Sequence, residues 1–147
     1  MATPVAGGAV AVEPAVRRAA DGQAATGFRI EVDLPGGLPP VAVPEATIET
    51  VLTVLLQNAR QAGASVARVT AEAGTTELVL AVTDDGPGVP PADRERLFEP
   101  FFTSRRAEGG TGLGLSIARS LLAASHGRLT LAPSGAGARF EAALPLA

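Results

Sequence analysis

The sequence predicts an α+β fold of two layers, in which a mixed sheet carries its helices on one face. Strands occur in pairs joined by short turns, amphipathic helices separate these pairs, and 46% hydrophobic residues supply a core. A length of 147 residues is that of one domain.

The first 26 residues are predicted to be a linker and a short helix at the edge of the domain. Residues 1–12 are small, rich in Ala and Gly, and uncharged, as linkers are. A short helix over residues 13–20 starts at Pro14. The domain itself spans residues 27–147 and opens with a strand at 27–34, where apolar and charged residues alternate.

The remaining elements follow from hydrophobic periodicity and from turn residues. The clearest helix begins at Pro44 and ends before Gly63, because its apolar residues recur at helical spacing. Later elements are an antiparallel hairpin of strands 65–73 and 76–83, a short helix at 92–98, a mobile loop from Thr103 to Gly112, a helix at 114–125, and a final hairpin of strands 128–132 and 138–144.

Composition excludes several kinds of site. The chain has no Cys and one His, which argues against disulfide frameworks and zinc sites. All 12 basic residues are Arg, so the Lys of a Walker A loop is missing. A net charge of −3 and 3% aromatic residues argue against a nucleic-acid partner. Because no apolar run approaches ~20 residues and no signal peptide is visible, we expect a cytoplasmic chain without direct membrane contact.

One amide interrupts the apolar stripe of the first long helix. Asn58 shares that stripe with Val54, Leu55, Gln61 and Ala62 at helical spacing. A buried Asn needs hydrogen-bond partners, so one interpretation is a structural amide within the core. The other is that its carbonyl oxygen ligates a hard cation such as Mg²⁺, which takes one or two protein oxygens together with substrate phosphates. The helix alone leaves both interpretations open.

An acidic pair ends the second strand of the first hairpin. The alternation of that strand directs Asp84 toward the apolar face and Asp85 away from it. Gly86 and Gly88, just beyond, would let a ligand approach the backbone closely. The alternative interpretation is an ordinary turn that begins with an Asp.

A Gly-rich stretch, residues 109–116, runs directly into the second long helix. The free N–H groups and positive dipole end of a helix start suit a phosphate, although a flexible linker is the alternative. Arg105 and Arg106 precede the stretch and could either fold onto a polyphosphate or remain solvated. His126 ends that helix and is interpreted as a capping residue.

With these motifs in this order along the chain, the sequence resembles the catalytic and ATP-binding domain of sensor histidine kinases. This Bergerat-fold domain is shared with type II topoisomerases, Hsp90 and mismatch-repair ATPases. The resemblance covers about residues 27–147. It rests on an N box at 51–59, a G1 box at 84–88, an F box at 97–102 and a G2 box at 110–115.

The resemblance implies roles for individual residues. Asn58 would ligate Mg²⁺, and Asp84 would accept a hydrogen bond from the adenine amino group. Arg105 and Gln61 would join Asn58 as catalytic residues facing the phosphates. The nucleotide-binding residues that it implies are Asn58, Ala62, Asp84, Gly86, Gly88, Val89, Thr103, Arg105, Gly110, Thr111, Gly112, Leu113, Gly114 and Leu115.

This sequence departs from the family pattern at three points. Val54 stands where hydrolysing relatives carry a Glu that activates water, so vigorous ATP hydrolysis is not expected. Ala138 stands where the family often has a Thr. The sequence contains no acceptor hairpin, and His126 matches the His-Gly after the second helix rather than a phosphoacceptor. We therefore expect an excised or stand-alone catalytic domain, monomeric by itself.

The function implied is that of a protein-histidine kinase domain in two-component signal transduction. It would bind Mg-ATP and transfer the γ-phosphoryl group to a histidine on a separate dimerisation and phosphoacceptor domain, with a response regulator as an indirect partner. The alternative is a nucleotide-dependent regulatory module of the same fold, either an anti-sigma-like domain or a degenerate kinase. An independent ATPase is disfavoured by Val54.

Overall fold

The computed structural model describes residues 8–102 and 113–147. In these residues a five-stranded sheet and three α-helices form the predicted α+β arrangement. The elements in chain order are α1 (Val12–Gln23), β1 (Arg29–Asp33), α2 (Glu45–Gln61), β2 (Val66–Ala73), β3 (Glu77–Asp84), α3 (Gly114–Ala124), β4 (Arg128–Ala132) and β5 (Arg139–Pro145).

The sheet is mixed, as predicted. Its strand order is β1-β2-β3-β5-β4, in which β1 and β2 are parallel and all other neighbours are antiparallel. Val82 at the centre of β3 pairs with Val69 on one side and Phe140 on the other. Asp84, the last residue of β3, pairs with Ala67 of β2. The end of β3 therefore lies in the interior of the sheet rather than at an edge.

One hydrophobic core joins the helices to the inner face of the sheet. Leu78, Leu80 and Val82 of β3 are each at most 2% exposed, and Phe140 of β5 joins them. Against them α2 packs one apolar side, which consists of Ile48, Val51, Leu52, Leu55, Leu56 and Ala59. This packing places the C-terminal end of α2 near the end of β3. None of the described helices is long and apolar enough to cross a membrane.

Helix α1 is longer and more deeply packed than its sequence suggests. It begins at Val12 and ends at Gln23, whereas residues 13–20 were expected to be helical and residues 1–12 a linker. Val12, Ala15, Val16 and Ala19 are nearly fully buried in the common core, where α1 packs against α2. These residues have helical spacing, but Ala contributes little to a hydrophobic pattern. The sequence pattern therefore did not indicate that this side of α1 is buried.

The short helix expected at residues 92–98 does not form. A single 3-10 turn at Pro91–Asp93 is followed by further turns. Seven residues that are mostly charged bury too little apolar surface to offset the cost of starting a helix. The predicted mobile loop from Thr103 to Gly112 lies outside the described residues. The other predicted helices and strands are confirmed, with ends that differ by at most two residues.

Candidate active site

The carboxylate of Asp84 is the one buried charged group in the described part of the chain, with 8% of the residue exposed. Its Oδ1 accepts hydrogen bonds from the backbone N–H of Gly86 at 2.8 Å and of Ala138 at 3.2 Å. The Asp84 N–H in turn donates to the Ala138 carbonyl oxygen at 2.9 Å. Both donors contact Oδ1, so Oδ2 has no donor among the described residues.

The contacts of Asp84 fit both interpretations of the acidic pair, the ordinary turn and the inward carboxylate that could bind a ligand. The bond from Gly86 to Asp84 is the turn that the simpler interpretation expected, because the carboxylate bonds to the backbone two residues on. The same carboxylate is buried, fixed by a second donor, and keeps one oxygen for another partner. The inward direction of Asp84 predicted from strand alternation is confirmed.

Asp85 is exposed and serves the framework around the site. Its Oδ1 accepts hydrogen bonds from the backbone N–H groups of Ser65 at 2.7 Å and Val66 at 3.0 Å. The N–H groups of Val66 and Ser65 hold the pKa of the Asp85 carboxyl below its usual value. Asp85 thereby ties the connection between α2 and β2 to the end of β3.

The glycines that follow Asp84 are closely packed by the protein itself. Gly88 has a φ of +79°, and a Cβ built on it would lie 3.0 Å from the carbonyl oxygen of Ala136. A Cβ on Gly86 would lie 3.1 Å from Asp84 Oδ1 and 3.5 Å from the Cβ of Ala64. The loop after β3 thus lies between the residues that follow α2 and the loop joining β4 to β5. Val89 continues it and packs partly buried against the core.

Helix α2 supplies a second side of the candidate site. Asn58 is half-buried, one turn after Val54 and one turn before Ala62, and Gln61 is exposed. A Cβ built on Gly114 would lie 3.2 Å from Cγ1 of Val54, so the start of α3 contacts this side of α2. Asn58 therefore lies one turn from the contact between the two helices.

The first turn of α3 has no side-chain cap in the described structure. Leu113 is the N-cap residue, and its carbonyl oxygen accepts hydrogen bonds from the Ser116 hydroxyl and the Ile117 N–H. Leu113, Gly114 and Leu115 are all partly buried. The N–H groups of a first helical turn lack partners within the helix, so this end of α3 can donate to an anion.

Aromatic contacts hold the segment that precedes residue 103. The ring of Phe98 meets Phe140 edge to face, with centroids 6.3 Å apart, and the guanidinium of Arg119 lies 5.3 Å from the Phe98 centroid. Arg96 lies 4.5 Å from the centroid of Phe102. Phe98 thus links this segment to β5 and α3. The sequence analysis gave Arg119 no role, although the helical pattern of α3 already indicated that this residue lies on the exposed surface of the helix.

The one predicted protein ligand, Asn58, would suit a cation whose other ligands come from a bound substrate and from water. In residues 8–102 and 113–147 no three His, Cys, Asp or Glu side chains cluster in a way that would hold a metal. The Asn58 side-chain oxygen is the kind of single protein ligand that Mg²⁺ accepts when phosphates and waters supply the others.

The structure brings together part of the predicted site. Asp84, Gly86 and Gly88 meet at the end of β3, and Gly114 contacts the Val54 turn of α2. Sequence reasoning gave no role in the site to the backbone of Gly137 and Ala138, which lies against Asp84. The predicted site residues outside the described part of the chain are Thr103, Arg105, Gly110, Thr111 and Gly112, together with Arg106.

Comparison with known proteins identifies the family. Residues 44–147 match the family model described as histidine kinase-, DNA gyrase B- and HSP90-like ATPase. The adaptive-response sensory kinase SasA of Gloeothece citriformis is 34% identical over 125 residues, which cover 81% of this chain and 32% of SasA. The probable sensor histidine kinase TcrY of Mycobacterium tuberculosis is 40% identical over 115 residues, which cover 73% of this chain and 24% of TcrY. The chain thus spans a third or less of these relatives.

Solved structures agree with this result. Full-length ShkA in complex with AMPPNP has a TM-score of 0.80 and 29% identity, covering 95% of this chain and 31% of ShkA. The nucleotide-free catalytic domain of the histidine kinase ThkA has a TM-score of 0.77 and 25% identity, covering 92% of each chain. The chain therefore belongs to the histidine kinase-, DNA gyrase B- and HSP90-like ATPase family, and within it is a histidine kinase catalytic domain.

Proposed function

We propose that this chain binds Mg-ATP and transfers the γ-phosphoryl group to a histidine side chain on a separate dimerisation and phosphoacceptor domain. The observation that carries the proposal is the buried Asp84 carboxylate, fixed through Oδ1 with Oδ2 left to accept from a ligand. The likeness to ShkA, which was solved with AMPPNP, supports a nucleotide as that ligand.

The adenine base would lie at the end of β3. A carboxylate accepts hydrogen bonds and does not donate them, so Oδ2 of Asp84 suits the 6-amino group of adenine. Gly86 and Gly88 would meet the base through their backbone, and Ala62 and Val89 would supply small or apolar neighbouring surface. Because Asp84 is already held in place, little side-chain entropy would be lost there when the base binds.

The triphosphate would extend between α2 and the start of α3. When bound, Mg²⁺ would neutralise phosphate charge, and the side-chain oxygen of Asn58 would be its protein ligand. The N–H groups in the first turn of α3, around Gly114, would donate to phosphate oxygens. We propose the same contact for Gly110, Thr111, Gly112, Leu113 and Leu115, and phosphate-facing roles for Thr103, Arg105 and Gln61.

The transfer itself would be an in-line displacement. A nitrogen of the acceptor imidazole forms a bond to the γ-phosphorus while the bond from that phosphorus to the β–γ bridging oxygen breaks. ADP leaves with the electron pair of the broken bond. The domain contributes by positioning the triphosphate and by neutralising its charge, since phosphoryl transfer requires little other chemistry from the protein.

The surface around Val54 supports transfer to a partner rather than hydrolysis. Val54 packs its methyl groups against Gly114, so an apolar contact lies where a general base for water would be needed. We expect phosphate release from ATP to stay near the uncatalysed background. Steady-state turnover well above that background would favour an independent ATPase.

A transfer assay with a separate acceptor tests the proposal. The chain is incubated with [γ-³²P]ATP, Mg²⁺ and the helical-hairpin acceptor domain of a sensor histidine kinase. We expect label on the acceptor that is lost in acid, because the P–N bond of phosphohistidine is acid-labile. The acceptor with its histidine replaced by alanine is the control and should stay unlabelled.

The same assay separates the alternative function. Nucleotide binding without label on any acceptor would favour a regulatory module of the same fold. Acid-stable label on a serine of a partner protein would favour an anti-sigma-like kinase. We further propose a cytoplasmic, monomeric domain that reaches a response regulator only through the phosphorylated acceptor.

A further inference from the structure

We propose that Gly137 is a positioning residue for base selectivity: its lack of a side chain lets the loop between β4 and β5 close on Asp84 and orient the carboxylate toward the base. The inference rests on the proposed function, because it assumes that Asp84 reads a nucleotide. It assigns a role to a loop whose residues 133–138 carry no charged side chain.

The contact at Gly137 leaves no space for a Cβ atom. A Cβ built on Gly137 would overlap the backbone carbonyl oxygen of Asp84 and lie 2.6 Å from the carbonyl carbon. It would also lie 3.0 Å from Asp84 Oδ1. Two of these three atoms belong to the backbone at the end of β3, which cannot rotate away. Any side chain at position 137 must therefore displace the loop.

Displacing this loop would move a hydrogen-bond donor to the carboxylate. Ala138 follows Gly137 and donates its N–H to Asp84 Oδ1 at 3.2 Å. Its carbonyl oxygen accepts the Asp84 N–H at 2.9 Å, so the two residues are joined in both directions. The remaining donor to Oδ1, the N–H of Gly86 at 2.8 Å, belongs to the loop after β3 and would stay. The carboxylate would then lose one of its two fixed points and could rotate.

Selectivity depends on the direction in which Oδ2 points. The 6-amino group of adenine donates a hydrogen bond, whereas the 6-carbonyl oxygen of hypoxanthine or guanine accepts one, and two acceptors repel. Discrimination of this kind is strong only while the buried acceptor is held in place, because hydrogen bonds weaken steeply with angle and distance. A carboxylate free to rotate would distinguish the two groups poorly.

Gly135, in the same loop, provides a matched control for the substitution of Gly137. A Cβ built on Gly135 meets no atom within 4 Å, and the backbone there does not have a positive φ. Gly135→Ala therefore makes the same chemical change as Gly137→Ala, two residues away in the same loop, without the overlap. Ala138→Pro is a second test variant, since it deletes the N–H that donates to Oδ1 at a position that precedes the first residue of β5.

Calorimetry with ATP and with inosine triphosphate tests the inference. The ratio of the two dissociation constants is measured for the wild type and the three variants, with thermal unfolding followed in parallel. We expect the wild type and Gly135→Ala to share one ratio in favour of ATP. Gly137→Ala and Ala138→Pro should lose about tenfold or more of that preference, mainly through weaker ATP binding.

The ratio separates positioning from a merely structural role. If Gly137→Ala unfolds at a lower temperature but keeps the wild-type ratio, the inference is wrong. If Gly137→Ala does not fold, Ala138→Pro decides, and a retained ratio there overturns the inference. Failure of the wild type to bind ATP would overturn the proposed function itself, and the inference with it.

Discussion

Asp84 and Asp85 are consecutive residues whose carboxylates bond to different parts of the molecule. Asp84 is buried and accepts from Gly86 and Ala138, whereas Asp85 is exposed and accepts from Ser65 and Val66. The alternation of β3 explains the difference, because successive side chains point to opposite faces of a sheet. One residue is thereby available for a ligand while its neighbour secures the surrounding loops.

Replacing Asp85 should produce a pH-dependent loss of stability. The backbone N–H groups of Val66 and Ser65 lower the pKa of the Asp85 carboxyl in the folded state. Its contribution is therefore present above the unfolded pKa of about 4 and is lost as pH falls through the lower folded value. We expect Asp85→Asn to lower the melting temperature at pH 7 and to match the wild type at the most acidic pH that both tolerate.

Thermal unfolding followed by circular dichroism between pH 7 and pH 3 measures this effect. Glu72→Gln is the control, since Glu72 is exposed near the end of β2, and its melting curve should follow that of the wild type at every pH. A difference between Asp85→Asn and the wild type that stayed constant with pH would show that the carboxylate charge contributes nothing.

Gly88→Ala should destabilise the loop after β3. Alanine at a φ of +79° carries a conformational cost of about 1–2 kcal/mol, and its Cβ would lie 3.0 Å from the Ala136 carbonyl oxygen. Urea unfolding should show a loss in this range. Gly36→Ala is the control, because a Cβ there meets nothing within 4 Å and the φ is not positive. Equal stabilities for the two variants would contradict the packing described for Gly88.

Phe98→Ala should release the segment that precedes residue 103 from the core. The variant loses the edge-to-face contact with Phe140 and the Arg119 cation over the ring, which together with apolar burial amounts to about 2 kcal/mol. Phe101 is 63% exposed, so Phe101→Ala should change stability by less than about 0.5 kcal/mol. Unfolding in urea compares the two, and a larger loss for Phe101→Ala would contradict the assignment of Phe98 as the anchor.

Much of this fold could be predicted from local sequence signals. The periodicity of α2, the hairpin of β2 and β3, and the inward direction of Asp84 each depend on neighbours within a few residues. The strand alternation that placed Asp84 and the resemblance that gave it a role are independent arguments, and they agree on the same carboxylate.

Other features depend on contacts between distant parts of the chain. The burial of α1 requires α2 as a partner, and its Ala residues gave a weak signal. The segment at 92–98 has charged residues that local patterns favour as a helix, but only Leu97 and Phe98 at its end pack against the core. The close approach of Gly137 to Asp84 joins two residues 53 positions apart in sequence, which no local pattern reports.

Calorimetry with Mg-ATP on the wild type, Asp84→Asn and Asp85→Asn measures whether the Asp84 carboxylate binds the nucleotide. We expect binding by the wild type, a loss of about 10- to 150-fold in Asp84→Asn because a hydrogen bond to a buried charge is lost, and binding within about threefold of the wild type in Asp85→Asn. Equal binding by Asp84→Asn and the wild type, or no binding by a folded wild type, would show that Asp84 does not bind the nucleotide in this way.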